Sequence, residues 1–326
     1  MALVTGNDAN NNPNNKSYER ALAAKMQLIL DQPTSDIGAK LVNHDFEGDF
    51  FKLGDTVTIV KPDVSSVEVQ VGDAMTDAKL AADDLEFTSQ FMVIDKCARY
   101  AFLVSDVTKA EGKWNYESGG LDIAAQETRK KMNLELCNLI ANDANVTRLG
   151  TPAAPIACAT VDDLYDKVIK KIYGKLYNEG AITADGSYTF GSNPQETKAT
   201  SAGIFMPIEG IEMLLGSKYL TDRSTSAADD KVATANIKQV LGMDLGIEPA
   251  LSQASARKIT VASLAENTFV VIAGTMNTVT EAKKVLPPEK QRSHTRFADE
   301  FHGMTIYGRK VISPKSAVVA FVQFAG

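Results

Sequence analysis

Two short stretches, "GDTVTIVKP" (residues 54–62) and "SSVEVQV" (65–71), alternate apolar and polar side chains, the two-residue period of a half-buried strand. "FTSQFMVID", ending at Asp95, and "ARYAFLVSDV" (98–107) predict two further strands. The period then changes. Leu121, Ala125, Thr128, Met132, Leu136 and Leu139 recur at spacings of three and four, which predicts one helix from Leu121 to Asp143. At 1.5 Å per residue it is about 35 Å long, and it is entered from a turn at Ser118-Gly119-Gly120. A second apolar stripe, Val161, Leu164, Val168, Ile172 and Leu176, predicts a helix. Thr160 is its cap, Asp163 holds the capping-box position, and Gly180 ends it. A shorter helix over 17–31 has Ser17 as N-cap and Leu22, Met26 and Leu30 on one face, with Pro33 as its stop.

Elsewhere the apolar residues run together. "SAGIFMP" (201–207) and "ENTFVVIAGT" (266–275) predict buried strands, Pro207 suits the first turn of the helix "IEGIEMLLG", and "NTVTEAKKV" predicts a short helix. The chain closes on "HGMTIYGRKVISPKSAVVAFVQF" (302–324), read as two strands built into one sheet with Pro314 at the turn. "TPAAPIACA" and "PPEK" (287–290) punctuate the chain, so the region between them reads as an inserted α/β unit. The terminal strands are then expected to complete the domain that owns the long helix. Residues 222–236 are poor in large apolar side chains and read as exposed, and the Asn-rich start reads as an extended or disordered arm.

Composition sharpens this picture in one place. The chain has 326 residues, 44% of them hydrophobic, enough for two domains, and a net charge of −7. Residues 45–95 hold 12 acidic and 3 basic side chains, a net of −9, against +2 for the rest. That segment is either a solvated loop or a projecting arm that docks on a less acidic neighbour. Overall acidity argues against gripping nucleic acid by phosphate neutralisation. No apolar run reaches the roughly 18 residues of a membrane span, and the N-terminus lacks the pattern of a secretion signal. Cys97, Cys137 and Cys158 have no C-x-x-C spacing and read as reduced core thiols in a cytosolic setting.

Candidate chemistry is sparse. The sequence has no phosphate-binding loop, no dinucleotide fingerprint opening a helix and no G-x-S-x-G elbow. His44, His294 and His302 form no H-E-x-x-H pair, and Asp83-Asp84, Asp162-Asp163 and Asp229-Asp230 lack the spacing of a calcium loop. Trp114 reads as a core anchor or an interface residue. The expectation is no catalytic residue, no cofactor and no metal site.

The order of these elements resembles the major capsid protein of tailed bacteriophages, the Hong Kong 97-type fold. "FKLGDTVTIVKP" with "FMVIDKCARYAFLVSDV" is similar to the family's extended loop returning into its peripheral domain, and "GGLDIAAQETRKKMNLELCNLIAND" to its spine helix. "TVDDLYDKVIKKI", "SAGIFMPIEGIEMLL", "GMDLGIEPALSQ" and "NTFVVIAGTMNTVTEA" resemble its axial domain, and "HGMTIYGRKVISPKSAVVAFV" its closing strand pair. The resemblance implies an α+β fold: an N-terminal arm (1–44), an extended β-hairpin loop (45–95), a peripheral domain (96–150 and 287–326) with spine helix 119–143, and an axial domain (151–286). It also implies a structural protein, not an enzyme, that assembles with itself as pentamers and hexamers into an icosahedral virion shell around double-stranded DNA. Assembly is expected in the host cytoplasm, away from membranes.

The stretch before Asp45 is too short for a built-in scaffold, so a separate scaffolding protein or none is expected; a portal and decoration proteins are further partners implied, with DNA touched non-specifically. The candidate inter-subunit contacts are Asp55, Asp73, Asp77, Asp83, Asp84 and Glu86 on the acidic loop. Arg129, Lys130 and Lys131 on the spine are their candidate partners, with Lys167, Lys170 and Lys171 behind them; the spine cluster also reads as a merely solvated face. Two other readings are weighed: an encapsulin-type nanocompartment shell, which shares the fold, and a cytosolic α/β enzyme with an unrecognised site.

Overall fold

The computed structural model describes residues 13–30, 36–45, 52–62, 87–111, 116–190, 198–216 and 239–324. In chain order these form α1 (Pro13–Leu30), α2 (Ile37–Leu41), β1 (Val42–Asn43), β2 (Thr56–Pro62), β3 (Phe87–Val93), β4 (Lys96–Ser105), α3 (Asp106–Glu111) and the long α4 (Tyr116–Asn142). Then come β5 (Thr147–Leu149), β6 (Ile156–Cys158), and one continuous helix made of α5 (Val161–Asp163), a π-helical stretch (Leu164–Ile169) and α6 (Lys170–Asn178). The remainder is β7 (Ser187–Phe190), β8 (Lys198–Ser201), β9 (Gly203–Met206), α7 (Ile208–Gly216), β10 (Gln239–Val240), β11 (Met243–Ile247), β12 (Thr268–Gly274), β13 (Val279–Val285), β14 (Glu289–Arg292), β15 (Ala298–Val311) and β16 (Ala317–Phe324).

Two sheets carry the fold. The first runs β1-β13-β15-β14, with β4 along the other side of β15; the second runs β10-β11-β9-β12-β16-β5, with β6 beside β5 on β16. Sequence pattern explains the second sheet's place at the centre. β9, β12 and the first six residues of β16 are buried at every position, the unbroken apolar run of a strand covered on both faces. Phe269, Val271, Ala273, Val318, Ala320 and Val322 face the α5–α6 helix. The alternate residues Val270, Ile272, Val319 and Phe321 face Leu136, Cys137 and Ile140 of α4.

The spine helix is longer than the apolar stripe predicts, 27 residues or about 40 Å. It begins at Tyr116, so Ser118-Gly119-Gly120 is helical and not a turn. Gly120 is needed for closeness: a Cβ there would lie 2.5 Å from the Phe102 ring of β4. Leu121, Ala125, Thr128, Met132 and Leu136 are buried as expected. The helix after Thr160 has its capping box, Asp163 accepting from the Ala159 and Thr160 N–H groups at 2.9 and 3.1 Å. At the N-terminus α1 starts at Pro13, upstream of the expected cap Ser17, because proline is suited to a first helical turn. Leu22 and Met26 pack on Leu121 and Ala125.

Two further expectations are corrected. "NTVTEAKKV" is not a short helix: it contains β13, antiparallel to β15 with Glu281 opposite Arg309. Tertiary pairing overrides the helix-favouring Glu-Ala-Lys-Lys run. The closing strands are not a pair within one sheet either. Pro314 opens a 3-10 turn (Pro314–Ser316) that sends β15 to the first sheet and β16 to the second. The cause lies in their patterns, since β15 mixes exposed and buried positions while most of β16 is apolar throughout. Trp114, residues 222–236 and the strand expected at 65–71 lie outside the described residues.

Candidate functional site

The acidic segment is rooted in a two-stranded ribbon. β2 and β3 pair antiparallel, Val57 opposite Met92 and Ile59 opposite Gln90. The inner face, Val57, Ile59, Met92 and then Ile94, packs on Ala282, Ile306 and Ile312 of the first sheet. The ribbon crosses β15 at Gly308, where a Cβ would sit 2.5 Å from the Val93 carbonyl oxygen. Lys310 Nζ donates to the Phe91 carbonyl at 2.9 Å. The opposite face exposes Val60, Phe91 and Val93, an apolar strip on a strand pair that belongs to neither sheet.

The predicted contact residues meet different fates. Asp55 sits at the foot of the ribbon, where its carboxylate accepts the Lys52 N–H at 2.9 Å and so shapes the turn. Asp73, Asp77, Asp83, Asp84 and Glu86 lie outside the described residues. The spine cations do not form one patch. Arg129 is paired to Asp36 of the N-terminal segment. Lys130 reaches Glu127 at 3.0 Å, and Glu127 also binds Arg257. Lys131 is exposed. Lys167 and Lys170 pair along their own helix with Asp163 and Asp166, at 3.0 and 2.5 Å.

One surface feature escaped the sequence reading. At the turn between β14 and β15, Phe297 is 84% exposed. Its only sequence signal is an aromatic in the polar run "RSHTRFADE". Its carbonyl accepts the Asp106 N–H at 3.0 Å. A charge cluster stiffens this tip: Arg292 bridges Asp106 and Asp299 (2.7 and 3.1 Å), Lys290 bridges Glu117 and Asp299 (2.7 and 3.2 Å), and Lys109 also binds Asp299. Burial alone would raise the Asp299 carboxyl, but hydrogen bonds from Lys109, Arg292 and Lys290 outweigh it and hold it well below the usual carboxylate range. A group depressed in the folded state contributes stability above its unfolded value, about 3.9, and loses it as pH falls toward the folded value. Asp299→Asn is therefore expected to lower the melting temperature at neutral pH and to flatten its decline between about pH 4 and pH 2. Equal acid slopes in the two proteins would refute this role.

Among the described residues, no group of three or more His, Cys, Asp and Glu could hold a metal ion. His302 lies 3.4 Å from Glu300 in an exposed position. Cys137 and Cys158 are buried, and burial pushes the Cys158 thiol up to about 11, away from thiolate chemistry. No helix among the described residues is long and apolar enough to cross a membrane.

No protein-family profile and no curated protein sequence matches the chain. Solved structures do. A structure from Mycobacterium phage Che8 is similar at TM-score 0.61 and 19% identity, over 89% of this chain and 91% of that one. The capsid of cyanophage P-SCSP1u is similar at 0.56 and 12%, over 88% and 86%. The virus-like particle of Pyrococcus furiosus is similar at 0.53 and 10%, over 93% and 99%. The two sheets, the spine helix between them and the ribbon laid on the first sheet are thus the Hong Kong 97-type fold of phage capsid proteins.

Proposed function

We propose that this chain is the major capsid protein of a tailed phage, a structural subunit that tiles an icosahedral head around double-stranded DNA. The observation that carries the proposal is similarity to phage capsids along about nine tenths of both chains. The ribbon supports it, since it stands outside both sheets with an apolar strip that no described residue covers. In this reading the acidic 45–95 segment docks on a neighbouring copy, with Lys131 and Lys171 the predicted cations least engaged at home. Each exposed pair contributes only about 0–1 kcal/mol, but a closed shell repeats it at every contact. A scaffolding protein, a portal and decoration proteins are further partners of this reading, and the virion is its place.

The test is negative-stain electron microscopy with sedimentation of the purified protein, alone and with co-expressed phage proteins. Shells, capsomer rings or rolled sheets are expected. Reversing Lys131 and Lys171 to Glu should reduce their yield, most strongly at low salt where screening is weakest. A small uniform oligomer under every condition would overturn the capsid reading. The Pyrococcus furiosus particle favours one second reading, a nanocompartment shell enclosing protein cargo. Particle diameter and contents separate the two.

A further inference from the structure

Glu248 follows β11 and caps the 3-10 turn Pro249–Leu251, one carboxylate oxygen accepting the Ala250 N–H at 3.3 Å. Its residue is only 8% exposed. The Asn133 amide of α4 hydrogen-bonds this carboxylate. The same amide donates to Asp36 at 2.5 Å, and Arg129 of α4 binds the other Asp36 oxygen. Two carboxylates therefore share one amide, with the Arg129 guanidinium held on Asp36, where three segments meet: the N-terminal stretch entering α2, the spine helix and the second sheet. A groove of about 580 Å³ opens on them, with Lys130 and Arg257 among its lining residues and Glu127 bound to both. Behind Glu248, the buried Cys137 thiol adds no charge, because burial pushes its ionisation well up. One turn further along, Lys40 of α2 reaches Asp244 of β11 at 2.5 Å, a polar tie beside the apolar packing of Ile37 and Leu41 on Phe205 and Ile272 of the second sheet.

We propose that this junction is a protonation-controlled latch, closed while Glu248 is neutral and loosened when Glu248 ionises and sets a second buried negative charge beside Asp36. Burial raises Glu248 above its ordinary value; Asp36 raises it further, and the Ala250 N–H, Arg129 and Asn133 oppose. A carboxyl raised in the folded state contributes fully below its unfolded value, about 4.3, and its contribution fades as pH rises through the folded value. The latch is thus closed in acid and looser toward neutral pH. It is a property of the single chain and stands whether or not that chain builds a shell.

Hydrogen–deuterium exchange of the full-length protein from pH 4.5 to 8, corrected for intrinsic exchange rates, reads the latch directly. In the wild type, protection of backbone amides 37–43 is expected to fall with rising pH, by at most about tenfold per pH unit, the limit for one proton. In Glu248→Gln it should stay level. Level protection in the wild type, or the same fall in the variant, would overturn the proposal. Should Glu248→Gln not fold, Arg129→Gln decides: removing the opposing cation must move the midpoint of the fall to higher pH, and an unmoved midpoint refutes the latch.

Discussion

Arg309→Ala is expected to destabilise the protein by about 3–5 kcal/mol, the cost of leaving a buried charge without its partner. Arg309 and Glu281 sit opposite each other on β15 and β13, with side chains 5% and 3% exposed. The guanidinium also donates to the Met132 carbonyl of the spine and stacks over Tyr307 at 5.1 Å, and the Tyr307 hydroxyl donates to Glu135 of the same helix. Removing it strands Glu281 with Lys283 at 3.9 Å and cuts one tie between sheet and spine. The paired change Arg309→Met with Glu281→Leu should recover most of the loss, since apolar replacement of both partners is often neutral or better. Urea unfolding of the three proteins measures this. A single variant within about 1 kcal/mol of wild type would show that solvent reaches the pair.

Phe321→Ala is expected to cost a similar amount, about 3–5 kcal/mol, for a different reason. Phe321 is fully buried in β16 and fills the space between the second sheet and the spine beside Val270 and Leu136. Its loss leaves a cavity in the layer between the sheet and the spine helix, and relaxation there is limited because β16 has strands on both sides. Phe321→Leu keeps most of the volume and should cost less than half as much. Thermal unfolding at fixed protein concentration tests the ranking. Equal costs for Ala and Leu would place the effect in backbone disruption and not in packing.

Both residues lie where the sequence was only partly readable. Local periodicity was enough for the ribbon strands, for the buried stripe Leu121-Ala125-Thr128-Met132-Leu136 and for the Thr160–Asp163 box, because each signal lies within a few residues of its cause. β13 was misread because Glu281 and Lys283 look like a solvated helix face until Arg309, 28 positions away, is brought opposite them. The split of β15 and β16 between two sheets was hidden in the same way, since strand pattern gives burial but not pairing partner. The latch was invisible, as Asp36, Arg129, Asn133 and Glu248 come from three distant segments. The basic triplet 129–131 looked like one patch in sequence, yet a helix turns successive residues about 100° apart, and only Lys131 among them is both exposed and without an ion pair among those found.

The position of β16 has a consequence for the timing of synthesis. It follows every other described strand in the chain, yet it lies inside its sheet, between β12 on one side and β5 and β6 on the other. Until β16 has emerged, β12 keeps a free apolar edge, and β5 and β6 have no other strand to pair with among the described residues. A chain emerging at about 5–20 residues per second therefore cannot close its largest core before β16 has emerged. The many long-range pairings that then form at once favour slow folding. A chain built this way acquires the rigid surfaces of its largest core only once β16 is in place, so nothing that reads those surfaces can act on a chain whose β16 is still unmade.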